Sequence, residues 1–209
     1  MSTTATTATA DPLIAWQRLR AGAARPGADG RHAADTDERP VAAVFRCADT
    51  GVSSELVFGQ ERGSLIDVST WGHVLDSGVM GALEYAVEVE QVPLIVVLGH
   101  PECSAMSAAM RAWTDASMPE GSTRTVVEHV IGSIVHRGVA GGSIGEVTAA
   151  HIVETGLAML ERSPVIARRV DEGRCAIVCA TTDSSGGRIT VHATVGAVGE
   201  VDDTLMECV

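Results

Sequence analysis

The stretch Leu94-Ile-Val-Val-Leu-Gly-His-Pro-Glu-Cys-Ser-Ala105 decides how the rest of the chain is read. A run of branched apolar residues ending in glycine is the pattern of a strand buried on both faces of a sheet. His100 and Cys103 follow immediately, at the carboxyl end of that strand, where open α/β sheets bind ligands. One imidazole and one thiolate make a borderline-soft pair suited to zinc. Two ligands do not complete a site, so the remaining donors must come from elsewhere in the chain.

Working outward, Val41-Ala-Ala-Val-Phe45 reads as a second short buried strand, and Cys47 and Asp49 lie just past it. If the two strands lie side by side, Cys47, His100 and Cys103 converge at one end of the sheet, with Asp49 in reach as an oxygen donor. Three protein ligands plus water would be a catalytic zinc, whereas Cys47, Asp49, His100 and Cys103 together would be a closed shell.

Further strands are predicted at Ser64 to Val68, Cys175 to Ala180 and, as a half-exposed edge, Arg188 to Val195, with Ser184-Ser-Gly-Gly187 as a hairpin turn. Helices are predicted over Ser53 to Gln60, Val74 to Val89, Ala105 to Trp113, Val126 to Ile134 and Glu146 to Ser163. Residues 114 to 124 read as loop, and Gly138 to Ser143 as a flexible connection. Pro164 marks a kink or a fresh start for a segment running to Glu172. Strands alternating with helices indicate an α/β fold with a mostly parallel central sheet flanked by helices.

Before this unit, residues 1–10 read as a Thr/Ala tail. Residues 11–40 form an N-terminal helical arm and linker, the helix capped by Asp11-Pro12 and carrying Leu13, Ile14, Trp16 and Leu19. Alone, that helix leaves Trp16 wet, so it is expected to lie on a neighbouring surface, of a second subunit for instance. The zinc-binding domain is expected over 41–200 and a C-terminal tail over 201–209.

Composition narrows the function classes. A net charge of −12 would repel phosphates, which argues against a nucleic-acid partner. No apolar run of about 18 or more residues is present, so no membrane span is expected. The first ten residues lack the features of a signal peptide, and the five cysteines are odd in number and irregularly spaced. A cytoplasmic protein with reduced thiols is the expectation. Cys175 and Cys179 read as core residues along one strand. His73, His129, His136, His151 and His192 read as surface or hydrogen-bonded histidines, His73 being the one to watch.

Cys47-x-Asp49 followed some fifty residues later by Leu98-Gly99-His100-x-x-Cys103 resembles the β-class carbonic anhydrase family. The likeness runs over about residues 41 to 200. It includes Gly81-Ala-Leu-Glu84-Tyr85-Ala-Val87, and upstream Ala15-Trp16-x-x-Leu19-x-x-Gly22. The resemblance implies Zn2+ held by Cys47, His100 and Cys103, and reversible hydration of CO2 to bicarbonate. It also implies a homo-oligomer, dimer or tetramer, with an N-terminal helical arm on the partner. Asp49 matches the aspartate that either binds the metal or acts on its water.

Departures from the family pattern gather around the same pocket. Gly51 stands where the family has an arginine that grips the aspartate through paired hydrogen bonds and keeps it off the zinc. Asp49 is therefore expected in the fourth zinc position unless His73 or another donor restrains it. Glu38 aligns with a glutamine that donates to the substrate. Ile66-Asp67-Val68-Ser69-Thr70-Trp71-Gly72 replaces Phe-Val-Val-Arg-Asn-Ala-Gly, so Ile66, Ser69 and Trp71 alter an apolar wall, an arginine and an alanine. Ser104 replaces a glycine. Two functions follow: CO2 hydration that is attenuated or redirected to a small electrophile such as carbonyl sulfide or carbon disulfide, or a catalytically silent zinc protein with a structural or regulatory role. An assembly subunit joined to an active relative through the Trp16 helix is a third.

Overall fold

A computed structural model of the chain describes residues 11–24, 39–183 and 188–199. The expected tails, residues 25–38 of the arm and linker (Glu38 among them), the turn at Ser184–Gly187 and Cys208 lie outside the described residues.

Five strands form one sheet: β1 (Ala42–Cys47), β2 (Leu65–Thr70), β3 (Leu94–Gly99), β4 (Ala176–Thr182) and β5 (Ile189–Val195). Their spatial order is β2-β1-β3-β4-β5. The first three pairings are parallel, and β4–β5 is antiparallel. Every residue of β3 is buried, as its unbroken apolar run requires. From β1 the chain first goes outward to β2, then crosses back to place β3 on the other side of β1. That reversal makes the β1/β3 boundary the topological switch point of the sheet, where a crevice opens beyond the strand ends. Arg46 pairs with Leu98, so Cys47 and His100 leave the sheet side by side.

Period-two alternation divides the strands between two faces. Ala43, Phe45, Ile95, Val97, Ile177 and Cys179 face one core, covered by α3 (Ser77–Glu88), α6 (Ile144–Arg162) and α7 (Pro164–Asp171). Val44, Val96, Leu98 and Val178 face the other, covered by α1 (Pro12–Ala23) and the short α2 (Ser54–Val57). A third cluster joins α4 (Ser104–Asp115) and α5 (Ser122–Arg137) to Cys47 and Cys103. Among the described residues no helix is long and apolar enough to cross a membrane.

Trp16 is 4% exposed and Leu19 fully buried, both against this chain's own sheet, so no second subunit is needed to keep the indole dry. The sequence expectation overlooked how closely α1 approaches α2. A Cβ on Gly22 would lie 1.9 Å from the carbonyl oxygen of Phe58. Only a glycine permits that contact, and it lets the helix sink onto the sheet.

Elsewhere the differences have local causes. The helix expected from Ser53 shrinks to α2, because Gly59 turns the chain at φ +56°. α5 begins at Ser122, earlier than its apolar residues suggest, because its first turn is polar and exposed. Pro164 starts a new helix: Ser163 ends α6, and its hydroxyl accepts from the Ile166 N–H to cap α7. A short 3-10 turn, Trp71–His73, had no sequence signal, and it matters for the site.

Candidate metal centre

The ligand atoms of Cys47, Asp49, His100 and Cys103 all lie within 4.8 Å of one another. Both thiols are fully buried. Their sulfurs are 3.7 Å apart. Two Zn–S bonds of about 2.3 Å at the tetrahedral angle would separate them by about 3.8 Å, so the pair is already spaced for one ion.

Each ligand is held by its own neighbours. The Nδ1–H of His100 donates to the Pro101 carbonyl at 2.9 Å, which turns Nε2 toward the cluster. Nε2 stands 2.7 Å from Asp49 Oδ1. The Cys47 sulfur accepts the backbone N–H of Gly72 at 3.1 Å. Gly72 sits at φ +69°, and a Cβ there would come within 2.5 Å of Val126 Cγ1, so glycine is required on both counts. The Gly72 carbonyl accepts from His151 Nε2 at 2.9 Å, and His151 Nδ1 lies 2.8 Å from the Ser133 hydroxyl. His73 donates through Nε2 to the Leu98 carbonyl at 3.0 Å, bracing the end of β3. Its ring packs edge-on against Phe45 and His151, and its Nδ1 is buried without a partner.

The four groups shift one another's protonation. The hydrogen bond with Cys103, together with burial, pushes the Cys47 thiol far up. The same hydrogen bond draws the Cys103 thiol down. Two adjoining sulfurs cannot both ionise easily without a cation between them. Burial alone would raise Asp49, but hydrogen bonds from Cys47 and Ser104 and the charge of His100 hold its carboxyl well below the usual range. Burial would lower His100, yet bonding to Cys47 and the Asp49 charge raise it. Two sulfurs, an imidazole and a carboxylate form a donor set that suits a divalent zinc-like ion.

Asp49 is restrained, and by a residue other than His73. Its Oδ2 accepts the Ser104 backbone N–H at 2.8 Å and the Ser104 hydroxyl at 2.5 Å. The indole N–H of Trp71 donates to that same hydroxyl at 2.8 Å. Oδ1 remains turned to His100 and lies 3.9 Å from the Cys103 sulfur.

Beside the cluster opens a cavity of about 310 Å3, whose walls include Arg46, Asp49, Gly51, His100, Glu102 and Thr182. A Cβ on Gly51 would meet nothing within 4 Å. Of the other pocket candidates, Ile66 packs partly buried against the core under α3, α6 and α7, and Ser69 is exposed on the edge strand β2. Trp71 and Ser104 gather at the Asp49 carboxylate. Gly72, Pro101 and His151 escaped the sequence reading as site supports. His151 carried one signal, since it shares the buried stripe of α6 with Thr148, Ile152 and Thr155.

Residues 42–189 match the sequence profile described as carbonic anhydrase. The chain belongs to the β-carbonic anhydrase family. It is 39% identical over 201 residues to "Carbonic anhydrase 2" of Mycobacterium tuberculosis, covering 91% of this chain and 97% of that one. A carbonic anhydrase of Mycolicibacterium smegmatis is also 39% identical, over 91% of this chain and 98% of its own. Among solved structures, the Coccomyxa β-carbonic anhydrase superposes with TM-score 0.63 at 20% identity, over 74% of this chain and 72% of that one. A tetrameric β-carbonic anhydrase of Sordaria macrospora gives TM-score 0.63 at 18% identity, covering 74% and 81%. These two likenesses carry the fold. In this family member the possible metal-binding set is Cys47, Asp49, His100 and Cys103.

Proposed function

We propose that the chain is a zinc carbonic anhydrase that hydrates CO2 reversibly to bicarbonate, with attenuated turnover. The observation that carries this is the convergence of four donor atoms within 4.8 Å at the switch point of the sheet, beside an open cavity. Cys47, His100 and Cys103 would hold the ion. Bound zinc supplies Lewis-acid activation of water at neutral pH. Asp49 would hold a proton at Oδ1, the oxygen that faces His100. Attenuation would follow because the same Oδ1 lies among the ligand atoms, within reach of the ion they would hold. The cavity admits a small linear molecule, and its wall carries Arg46 as well as Asp49 and Glu102.

The Sordaria macrospora relative is tetrameric by description, which supports a homo-oligomer here, with a dimer as its simplest unit. The four described cysteines are free, in keeping with a reducing cytoplasm. A second reading, a silent zinc protein, draws support from the Ser104 grip on Asp49, which keeps the carboxylate at the cluster.

Stopped-flow CO2 hydration at pH 7 to 9, on protein shown by elemental analysis to carry zinc, separates the two. A rate above buffer that vanishes in Cys47→Ser supports the enzyme. Absence of any rate with zinc bound ends the CO2 assignment, and hydrolysis of carbonyl sulfide and carbon disulfide is then the remaining enzymatic assay.

A further inference from the structure

We infer that Trp71 and Ser104 together form a clamp on Asp49, a hydroxyl relay that holds Oδ2 and leaves Oδ1 turned to the metal ligands. Two departures from the family pattern, Trp71 and Ser104, are linked at this one carboxylate, and a third, Gly51, lines the cavity that Asp49 borders. An indole nitrogen is a donor only, and a serine hydroxyl has a single proton to give. Because Trp71 donates to Ser104 Oγ at 2.8 Å, that hydroxyl is committed as acceptor to the indole, and its own proton points to Asp49 Oδ2 at 2.5 Å. The direction of the relay is therefore set: indole to hydroxyl to carboxylate.

A second donor arrives from the backbone. Ser104 is the first residue of α4, and the residue before it, Cys103, provides no side-chain cap. The N–H groups of a first helical turn have no partner within the helix. Asp49 supplies one, accepting the Ser104 N–H at 2.8 Å from a position 55 residues earlier. The positive end of α4 also favours the ionised carboxylate. All of these donors act on Oδ2 and none on Oδ1, so the clamp fixes which oxygen faces the metal ligands. Trp71 and Ser104 are positioning residues; neither touches the reacting atoms.

This assignment presupposes the zinc centre proposed above for its effect on metal binding, but the relay itself exists without metal. The first measurement is accordingly made on metal-free protein. The indole N–H resonance of Trp71, assigned by its loss in Trp71→Phe, should shift upfield in Ser104→Ala. The second measures zinc affinity by competition with a chromophoric chelator. Ser104→Ala should bind zinc about tenfold more weakly, at the lower end of what loss of an outer-shell partner typically costs. Trp71→Phe should give a smaller drop that disappears in the Ser104→Ala background, since it acts through the hydroxyl. In an Asp49→Ala background Ser104→Ala should have no further effect. The visible spectrum of the cobalt-substituted protein should change in Ser104→Ala and not in a Cys175→Ala control.

An indole resonance that does not move, an affinity within twofold of the natural chain, or an equal loss in the Asp49→Ala background overturns the clamp. Full coupling without CO2 hydration leaves the clamp standing and removes the catalytic reading. Failure of the natural chain to bind zinc removes the zinc centre, while the metal-free resonance still decides the relay. Should Ser104→Ala misfold by circular dichroism, Trp71→Phe read alone and over Asp49→Ala decides the same point.

Discussion

His151 Nε2 donates to the carbonyl of Gly72 at 2.9 Å, across 79 residues of sequence. Gly72 in turn gives its own N–H to the Cys47 sulfur at 3.1 Å. A buried histidine in the middle of α6 thus holds the turn that solvates a metal-facing thiolate. Replacing it by leucine leaves the Gly72 carbonyl buried without a donor, a loss of about 1–3 kcal/mol. His151→Leu should lower the unfolding free energy measured in urea by that amount and red-shift the thiolate-to-metal absorption of the cadmium-loaded protein, because the Cys47 sulfur loses a well-placed donor. His151→Asn, which retains a donor, should recover part of both.

The buried histidines make stability depend on pH. Burial pulls His151 down to about 4 and His73 down to about 3, from an ordinary 6.5. Between the folded and unfolded values the unfolded chain binds protons that the folded chain refuses. Stability is therefore full above about pH 6.5 and falls as the medium is acidified toward 4, with about 1.4 kcal/mol per pH unit for each histidine. Chemical denaturation of the chain and of His151→Asn at pH 5 and 7 checks this: the natural chain should lose more, and equal losses would assign the acid sensitivity elsewhere.

α1 depends on close approach. Trp16 is 4% exposed, and truncating a buried indole costs about 3–5 kcal/mol. Trp16→Ala should show that loss in equilibrium unfolding. Gly22→Ala should be destabilising as well, because its methyl would meet the Phe58 carbonyl.

Position 51 has room for a long side chain, since a Cβ there meets nothing within 4 Å. Gly51→Arg should pair with Asp49, draw Oδ1 out of the ligand set, and raise CO2 hydration by roughly tenfold, below the full effect of a well-placed charged donor. A rate that stays flat with zinc bound would place the limitation elsewhere in the pocket.

Metal content should follow the cluster and nothing else. Cys103→Ser should reduce zinc well below one equivalent. Cys175→Ala should leave it unchanged, because burial pushes the Cys175 thiol up to about 12 and keeps it a core group. Elemental analysis after dialysis reads both.

The sequence alone determined the parallel sheet and the ends of β1 and β3, because fully buried strands are written as unbroken apolar runs and ligands placed just past them must emerge at one edge. It also determined that Cys47, His100 and Cys103 belong together, through a spacing shared with a known family. Tertiary structure decided what grips Asp49, what covers Trp16 and what supports Cys47. Each of those depends on a contact between segments far apart in the chain: Ser104 on Asp49, Gly22 against Phe58, His151 on Gly72. Periodicity records which face of an element is buried, but a single hydrogen bond or a missing Cβ leaves no periodic trace, and its partner is known only once the chain has folded.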